Sequence, residues 1–407
     1  YTVWWALFLA AMLSAGCGSS AGPDPVPEDI EIVTDFEGAS LAGWIQVSPT
    51  AVNLQIRQDT NADFARWYSF RVQDALGRRI EFRITNAGNV SVPDAWPFNQ
   101  PAVSSDGGAT WRRISRTSYA GGVFTFTHTP ASDNEWIALQ PVYNFSRWEA
   151  LAQTIQNHAK VDSLVVLTQT LEGRPVHLVK ITDTTVPDTE KGTVWGTGRQ
   201  HPAEVAGSFM AEGLIQWLLS GDPQANELLR RSVFYLVPFM NPDGVALGNY
   251  RVNSVGANLN REWTNQNPST APSVAATANA LEEFVGSGGR LDFFVDFHAY
   301  SSLRKNFFFY SGRNRAPEED VVEMESLMDS FQAINGDFTR GGSSPSGDDT
   351  RLARGWAFES FGVQAVTFEA SYQDVNYGPF ANEYMTPERY LALGVGLGRS
   401  LAAVLFG

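Results

Sequence analysis

The 407-residue sequence has a single cysteine, Cys17, so no intramolecular disulfide supports the fold. Positive charge is scarce as well. Against 44 Asp and Glu stand 29 Lys and Arg, giving a net charge of −15, and the cations form no dense cluster. Without a basic stripe there is no electrostatic footprint for a phosphate backbone, which excludes nucleic acid as a partner. The acidity itself bears on solubility, not on fold. Long apolar runs are also lacking. The stretch 391–406 is apolar but is interrupted by Gly394, Gly396, Gly398 and Arg399, and reads as a last helix packed in a core, not as a membrane span. What remains is an ordinary globular balance, 43% hydrophobic and 18% charged, over a length that suggests two or three domains.

The N-terminus departs from that balance. Residues 3–13 are almost wholly apolar and lead into Ser14-Ala15-Gly16-Cys17. A short apolar stretch followed by small residues reads as a secretory signal. A cysteine at that junction resembles a bacterial lipoprotein processing site, where the thiol is acylated, although Ser14 stands where that pattern wants Leu13. The expectation is an export segment over 1–17, a flexible Gly-, Ser- and Pro-rich tether over 18–31, and a protein of the bacterial cell envelope, periplasmic or lipid-anchored. Its one contact with a membrane would be through Cys17.

Two textures follow. Over 32–142, short apolar or alternating runs at 52–56, 67–72, 80–84, 122–127 and 136–139 are separated by Gly, Asn, Asp and Pro, which predicts a sandwich of antiparallel strands. Over 143–407, helical patterns at 146–158, 203–219, 273–285, 318–331 and 386–405 alternate with strand-like runs at 164–168, 176–182, 193–196, 233–237, 292–297, 306–309 and 364–368. That alternation predicts an α/β layered domain with a buried central sheet, and it directs attention to the loops beyond the strand ends.

Four stretches there carry chemistry. Arg199-Gln200-His201-Pro202-Ala203-Glu204 follows a strand, with Pro202 suited to the first turn of the next helix. Spaced three apart, His201 and Glu204 can face one point, and imidazole and carboxylate are good zinc ligands. His298 ends the apolar run 294–297 as a natural third ligand. Asp296, two residues back on the same face, fits either a carboxylate supporting that histidine or a strand-end salt bridge. The other three histidines, His128, His158 and His177, read as structural. Asn241-Pro242-Asp243-Gly244 is a turn by its chemistry, and beyond it Arg251 and Arg261 (in Asn258-Leu259-Asn260-Arg261-Glu262-Trp263) suit recognition of a carboxylate. Glu369 closes the strand-like run 364–368, where an acid is out of place unless exposed or working.

In this order the motifs resemble the M14 family of zinc carboxypeptidases: HxxE, NPDG, an arginine, an Asn-Arg pair, a lone histidine, then a glutamate near the end. The likeness is closest to the cytosolic carboxypeptidase branch, which includes tubulin deglutamylases. It also rests on the all-β domain ahead of the peptidase, on Arg57–Val72, on Pro141–Ser146 and on Leu259-Asn260-Arg261. The resemblance implies an M14-type α/β/α domain with a mixed central sheet, and one Zn²⁺ per chain bound by His201, Glu204 and His298. It also implies Glu369 as the general base toward water, Arg251 as the group that polarises the scissile carbonyl and stabilises the oxyanion, and Asn260 and Arg261 as the grip on a substrate's terminal carboxylate. The partners implied are peptide or protein C-termini, met by a monomer or small homo-oligomer.

Two features depart from the family pattern. The loop 341–349 lacks the mobile tyrosine of the digestive members. The export segment makes tubulin a poor substrate. Arg354, with Arg351 nearby, falls close to where the branch carries a basic residue selecting an acidic C-terminal side chain; the plainer expectation is that it flanks a helix around 356–361. A second enzymatic reading is amide hydrolysis on murein stem peptides. A third, a glycan- or peptide-binding protein with a dead peptidase, is opposed by the presence of all three ligands and Glu369.

Overall fold

The structure is a computed structural model that describes residues 29–312, 315–345 and 349–407. The expected export segment with Cys17 and nearly all of the tether lie outside the described residues.

The N-terminal domain is a sandwich of two five-stranded sheets. Alternate residues point inward, so Val52, Leu54, Phe82 and Phe126 of one sheet meet Phe70, Val72 and Ile137 of the other in a single buried cluster. The rings of Phe82 and Phe126 stack across neighbouring strands, 5.1 Å between centroids. The strands are not all antiparallel as expected. Ala51–Gln55 and Ile80–Ile84 run parallel, with Val52 opposite Phe82. Between them the chain crosses to the other sheet to form Ser69–Gln73, and it returns in its original direction. Alternation in a sequence reports which face a residue takes, not the direction of its neighbour.

The second domain is built on an eight-stranded mixed sheet. Its centre is parallel: Ser232–Val237, Gly192–Gly198, Phe293–Tyr300 and Gln364–Ser371 lie side by side. Consecutive residues of these strands are buried on opposite faces. Val194 and Phe293 join the core beneath the helices Val205–Leu219 and Pro387–Val404, while Trp195 and Phe294 join a second core beneath Pro272–Gly286 and Ala353–Phe361. Covering on both faces is what a parallel sheet requires. The helix Pro223–Arg231 went unread in the sequence, although Asp222 caps it through Gln224 N–H and Pro223 occupies its first position.

The glycines of the last helix have a packing role. A Cβ built on Gly394 would lie 1.9 Å from Met210 O, and one on Gly213 would lie 2.1 Å from Leu391 O. The helices Val205–Leu219 and Pro387–Val404 therefore touch backbone to backbone, which only glycine permits. No helix among the described residues is long and apolar enough to cross a membrane.

Candidate active site

Three of the parallel strands deliver functional side chains to one side of the sheet. Gly192–Gly198 leads into Arg199, Phe293–Tyr300 carries His298, and Gln364–Ser371 carries Glu369, directly opposite His298 in the ladder. The cleft beyond the carboxyl ends of such strands is the usual ligand site of layered α/β domains.

After Gly198 the chain reverses. Arg199 has φ 56°, a sparsely allowed conformation for a residue with a side chain. Its own guanidinium holds the turn, donating to Pro202 O at 2.7 Å and Ser208 Oγ at 2.9 Å and lying 5.2 Å from the Phe239 ring. Burial lowers its pKa to about 10. The helix that follows begins at Val205, so Pro202 precedes it and does not sit in its first turn as the sequence suggested. Glu204 occupies the cap position but makes no side-chain cap. Its carboxylate turns into the cleft instead.

There it meets both histidines. Glu204 Oε1 is 2.8 Å from His201 Nδ1, Glu204 Oε2 is 2.6 Å from His298 Nδ1, and the imidazole centroids are 4.8 Å apart. All three residues are buried, and one donor atom from each falls within 4.8 Å of the others. The far nitrogens are engaged elsewhere: His201 Nε2 with Asn258 Oδ1 at 3.0 Å, His298 Nε2 with Asp296 Oδ2 at 2.7 Å. With Nε2–H donated outward, both Nδ1 lone pairs face the point that Glu204 faces. Asp296 is fixed in turn by Thr197 Oγ1 at 2.8 Å and Gln200 Nε2 at 2.7 Å, and Gln200 Oε1 accepts from Trp263 Nε1.

The electrostatics favour a cation at that point. Burial lowers the pKa of His201 to about 4, despite the adjoining Glu204. Burial pushes Glu204 up, but the two imidazoles prevail and hold it below the ordinary carboxylate range. For His298, burial is overcome by Asp296 and Glu204, which raise it well above an ordinary histidine. Two carboxylates around one imidazole call for positive charge, as a proton or as a metal ion. Two imidazoles and a carboxylate with an open side fit the donor set of a catalytic zinc site.

Glu369 stands beside this cluster. It is buried, its Oε2 has no hydrogen-bond partner, and burial followed by the Glu204 charge pushes its pKa up to about 8. An orphaned buried carboxylate oxygen is destabilising unless a ligand completes it. A cavity of about 390 Å³ opens in front of it, and Arg251, Asn260, Arg261 and Arg354 line that cavity together with His201, Glu204 and His298. Asn260 Oδ1 accepts from Ala353 N–H at 2.9 Å, and Arg261 Nη1 donates to Asn260 O at 2.6 Å. Partial burial, and next the neighbouring Arg251 charge, lower the pKa of Arg261. Arg354, in the first turn of Ala353–Phe361, is buried and donates to Ser311 Oγ at 2.9 Å and Thr367 Oγ1 at 3.1 Å. Arg351 is exposed and pairs with Asp349.

Other contributors went unread. Asn258 and Gln200 support the histidines as described. Tyr250 and Tyr300 stand in the cavity wall, and so does Val92 of the N-terminal domain. Val92 has φ 54°, unusual for a β-branched residue, and the buried Arg66 holds it through Ser91 O at 3.1 Å and Val92 O at 2.5 Å. The three remaining histidines are bonded elsewhere: His128 Nε2 is 2.5 Å from Glu135 Oε2, His158 Nδ1 accepts from Lys160 N–H at 3.2 Å, and His177 Nδ1 accepts from Trp148 Nε1 at 3.1 Å.

Comparison with known proteins agrees with this geometry. The zinc carboxypeptidase family matches residues 148–392, and the cytosolic carboxypeptidase N-terminal domain matches residues 32–139. Cytosolic carboxypeptidase 6 of Mus musculus is 28% identical over 392 residues, covering 90% of this chain and 71% of its own. A metallo-carboxypeptidase from Burkholderia cenocepacia is 30% identical and superposes with a TM-score of 0.84, covering 93% of this chain and 99% of its own. A metallo-carboxypeptidase from Pseudomonas aeruginosa shares the fold at 24% identity and a TM-score of 0.82, over 92% of this chain and 99% of its own. A family match over more than half of the chain, and an architecture shared across both domains, make this chain a member of the zinc carboxypeptidase family, a metallocarboxypeptidase carrying the N-terminal domain of the cytosolic branch.

Proposed function

We propose that this metallocarboxypeptidase holds one zinc ion with His201, Glu204 and His298 and hydrolyses the C-terminal peptide bond of peptides or proteins. The observation that carries the reading is the convergence of those three donors beside the orphaned Glu369 Oε2, in one cavity that three arginines also line. When bound, zinc supplies a Lewis acid that polarises a carbonyl and eases the loss of a proton from water. The chain's own residues do the rest. Glu369 Oε2 accepts the proton of the attacking water and returns it to the leaving amine. Arg251 donates to the oxygen on which negative charge develops. Arg261 and the Asn260 amide hold the terminal carboxylate, which restricts cleavage to chain ends. Metal analysis combined with a C-terminal ladder assay on mixed peptides tests the whole reading; release of internal fragments would overturn it.

Carboxylate capture has its own test. Arg261→Ala is expected to raise KM by 10-fold or more with kcat little changed, since about 1.5–3 kcal/mol of charged hydrogen bonding is lost equally from the ground and transition states. A C-terminally amidated peptide should be a correspondingly poor substrate. A fall in kcat at unchanged KM would assign Arg261 elsewhere.

We further propose that the residue released is preferably Glu or Asp, with Arg354 as the cation that selects it. Its support is a buried guanidinium in the cavity wall. Arg354→Ala is expected to reduce kcat/KM for C-terminal Glu by at least ~10-fold while sparing Leu and Phe, because a charge-assisted hydrogen bond is lost for the acidic side chain alone. Equal losses on all substrates would make Arg354 a packing residue. The apolar segment 3–13 and Cys17 support placing the enzyme in the cell envelope, where murein stem peptides are a second substrate class; labelling of Cys17 with a radioactive fatty acid tests the anchor, and a chain that stays unlabelled and cytosolic overturns it.

A further inference from the structure

One loop of the N-terminal domain grips the catalytic domain beside the cavity. Residues 57–64 lie against the catalytic-domain loop 247–256 and are fastened to it almost residue by residue. Arg57 Nη2 donates to Leu247 O at 2.5 Å, Thr60 N–H and Oγ1 both donate to Asn249 Oδ1 at 3.1 Å, and Asn61 Nδ2 donates to Ser254 O at 3.1 Å. The fit is close enough that a Cβ on Gly256 would lie 2.4 Å from Asn61 O. At the centre of this seam is Asp59, 6% exposed. Its carboxylate accepts three successive backbone N–H groups: Tyr250 at 2.6 Å, Arg251 at 2.7 Å and Val252 at 3.2 Å. Successive N–H groups converging on one anion lock the main chain that bears them. The middle residue is the arginine that faces the cavity, and its guanidinium lies 5.6 Å from the ring centroid of Phe64, at the end of the same N-terminal loop. The segment 247–256 forms no helix or strand, so nothing in its own secondary structure sets the aim of Arg251.

We propose that Asp59, seconded by Phe64, is a positioning residue for Arg251, so that the oxyanion-stabilising group of this peptidase is set by the N-terminal domain. The inference rests on the role given to Arg251 above. A guanidinium placed an ångström away from its target loses about 10²-fold in rate, and that loss falls on the transition state more than on substrate binding.

The test is a set of variants of the whole chain, assayed as the zinc-loaded enzyme on one peptide. Asp59→Ala is expected to lower kcat by about 10²-fold while KM stays within about threefold and zinc remains at one per chain. Phe64→Leu, at a position 36% exposed, is expected to lower kcat by up to about fivefold with Tm unchanged. Arg251→Ala should lose at least as much as Asp59→Ala, and either substitution added to Arg251→Ala should cost nothing more, since the positioned group is already gone. If Asp59→Ala fails to fold, Phe64→Leu and Asp59→Asn carry the same comparison. An Asp59 or Phe64 variant as active as wild type, beside a crippled Arg251→Ala, overturns this inference alone. So does a loss in the Arg251→Ala background as large as in wild type, which marks general destabilisation. Wild-type kcat in Arg251→Ala overturns the role of Arg251 and this inference with it.

Discussion

Replacing His201 or His298 with alanine should strip the chain of metal and of activity together. Each histidine supplies one of three convergent donors and also helps hold the carboxylate between them in its charged form, so removing one weakens two ligands at once. Loss of a supporting hydrogen bond around a metal typically weakens binding 10–100-fold, so loss of a donor should exceed ~10²-fold. Asp296→Asn provides the graded control. It keeps the donor set but weakens the acceptor that orients His298, and should fall within that 10–100-fold range. Metal content by mass spectrometry after dialysis against a weak chelator, read beside kcat, decides the matter. Full zinc occupancy in both alanine variants would remove these residues from the metal site.

Glu369→Gln should do the opposite: keep the metal and lose the turnover. The amide matches the carboxylate in size and can still accept a hydrogen bond, but it cannot take up a proton. General acid–base catalysis by a placed side chain is worth about 10²–10⁴-fold, and kcat should fall by that factor with zinc unchanged. The substitution should also leave the fold intact, because a neutral amide of the same size replaces a carboxyl that burial already biases toward its neutral form and that has no partner at Oε2. A variant that holds zinc and turns over at the wild-type rate would exclude Glu369 from the reaction.

Much of the fold is legible in the sequence because it is local. The alternation of strand and helix patterns over 143–407 marks the layered domain, and His201, His298 and Glu369 stand in a loop or toward the ends of strands, where their chemistry looks misplaced. What the sequence hides is long-range or conformational. Asp59 and Arg251 are 192 positions apart, and no periodicity relates them. The turn at Arg199 depends on a left-handed arginine fastened by its own side chain, a conformation no propensity predicts. The parallel pair in the sandwich hides behind an alternation that both directions share. Gly394 looks like a break in an apolar run until the partner helix is present to explain it.

The placement of His298 opposite Glu369 in neighbouring parallel strands has a consequence for how the enzyme fails. Their separation is set by main-chain hydrogen bonds between Phe293–Tyr300 and Gln364–Ser371, near the middle of the sheet. Side chains alternate with a period of two, so a slip of one residue would turn one of the pair to the opposite face. There is no intermediate register in which a weakened but working site survives. Warming should therefore quicken turnover until the sheet itself melts, and heat inactivation should be abrupt, coincident with loss of the far-ultraviolet circular dichroism signal and not ahead of it.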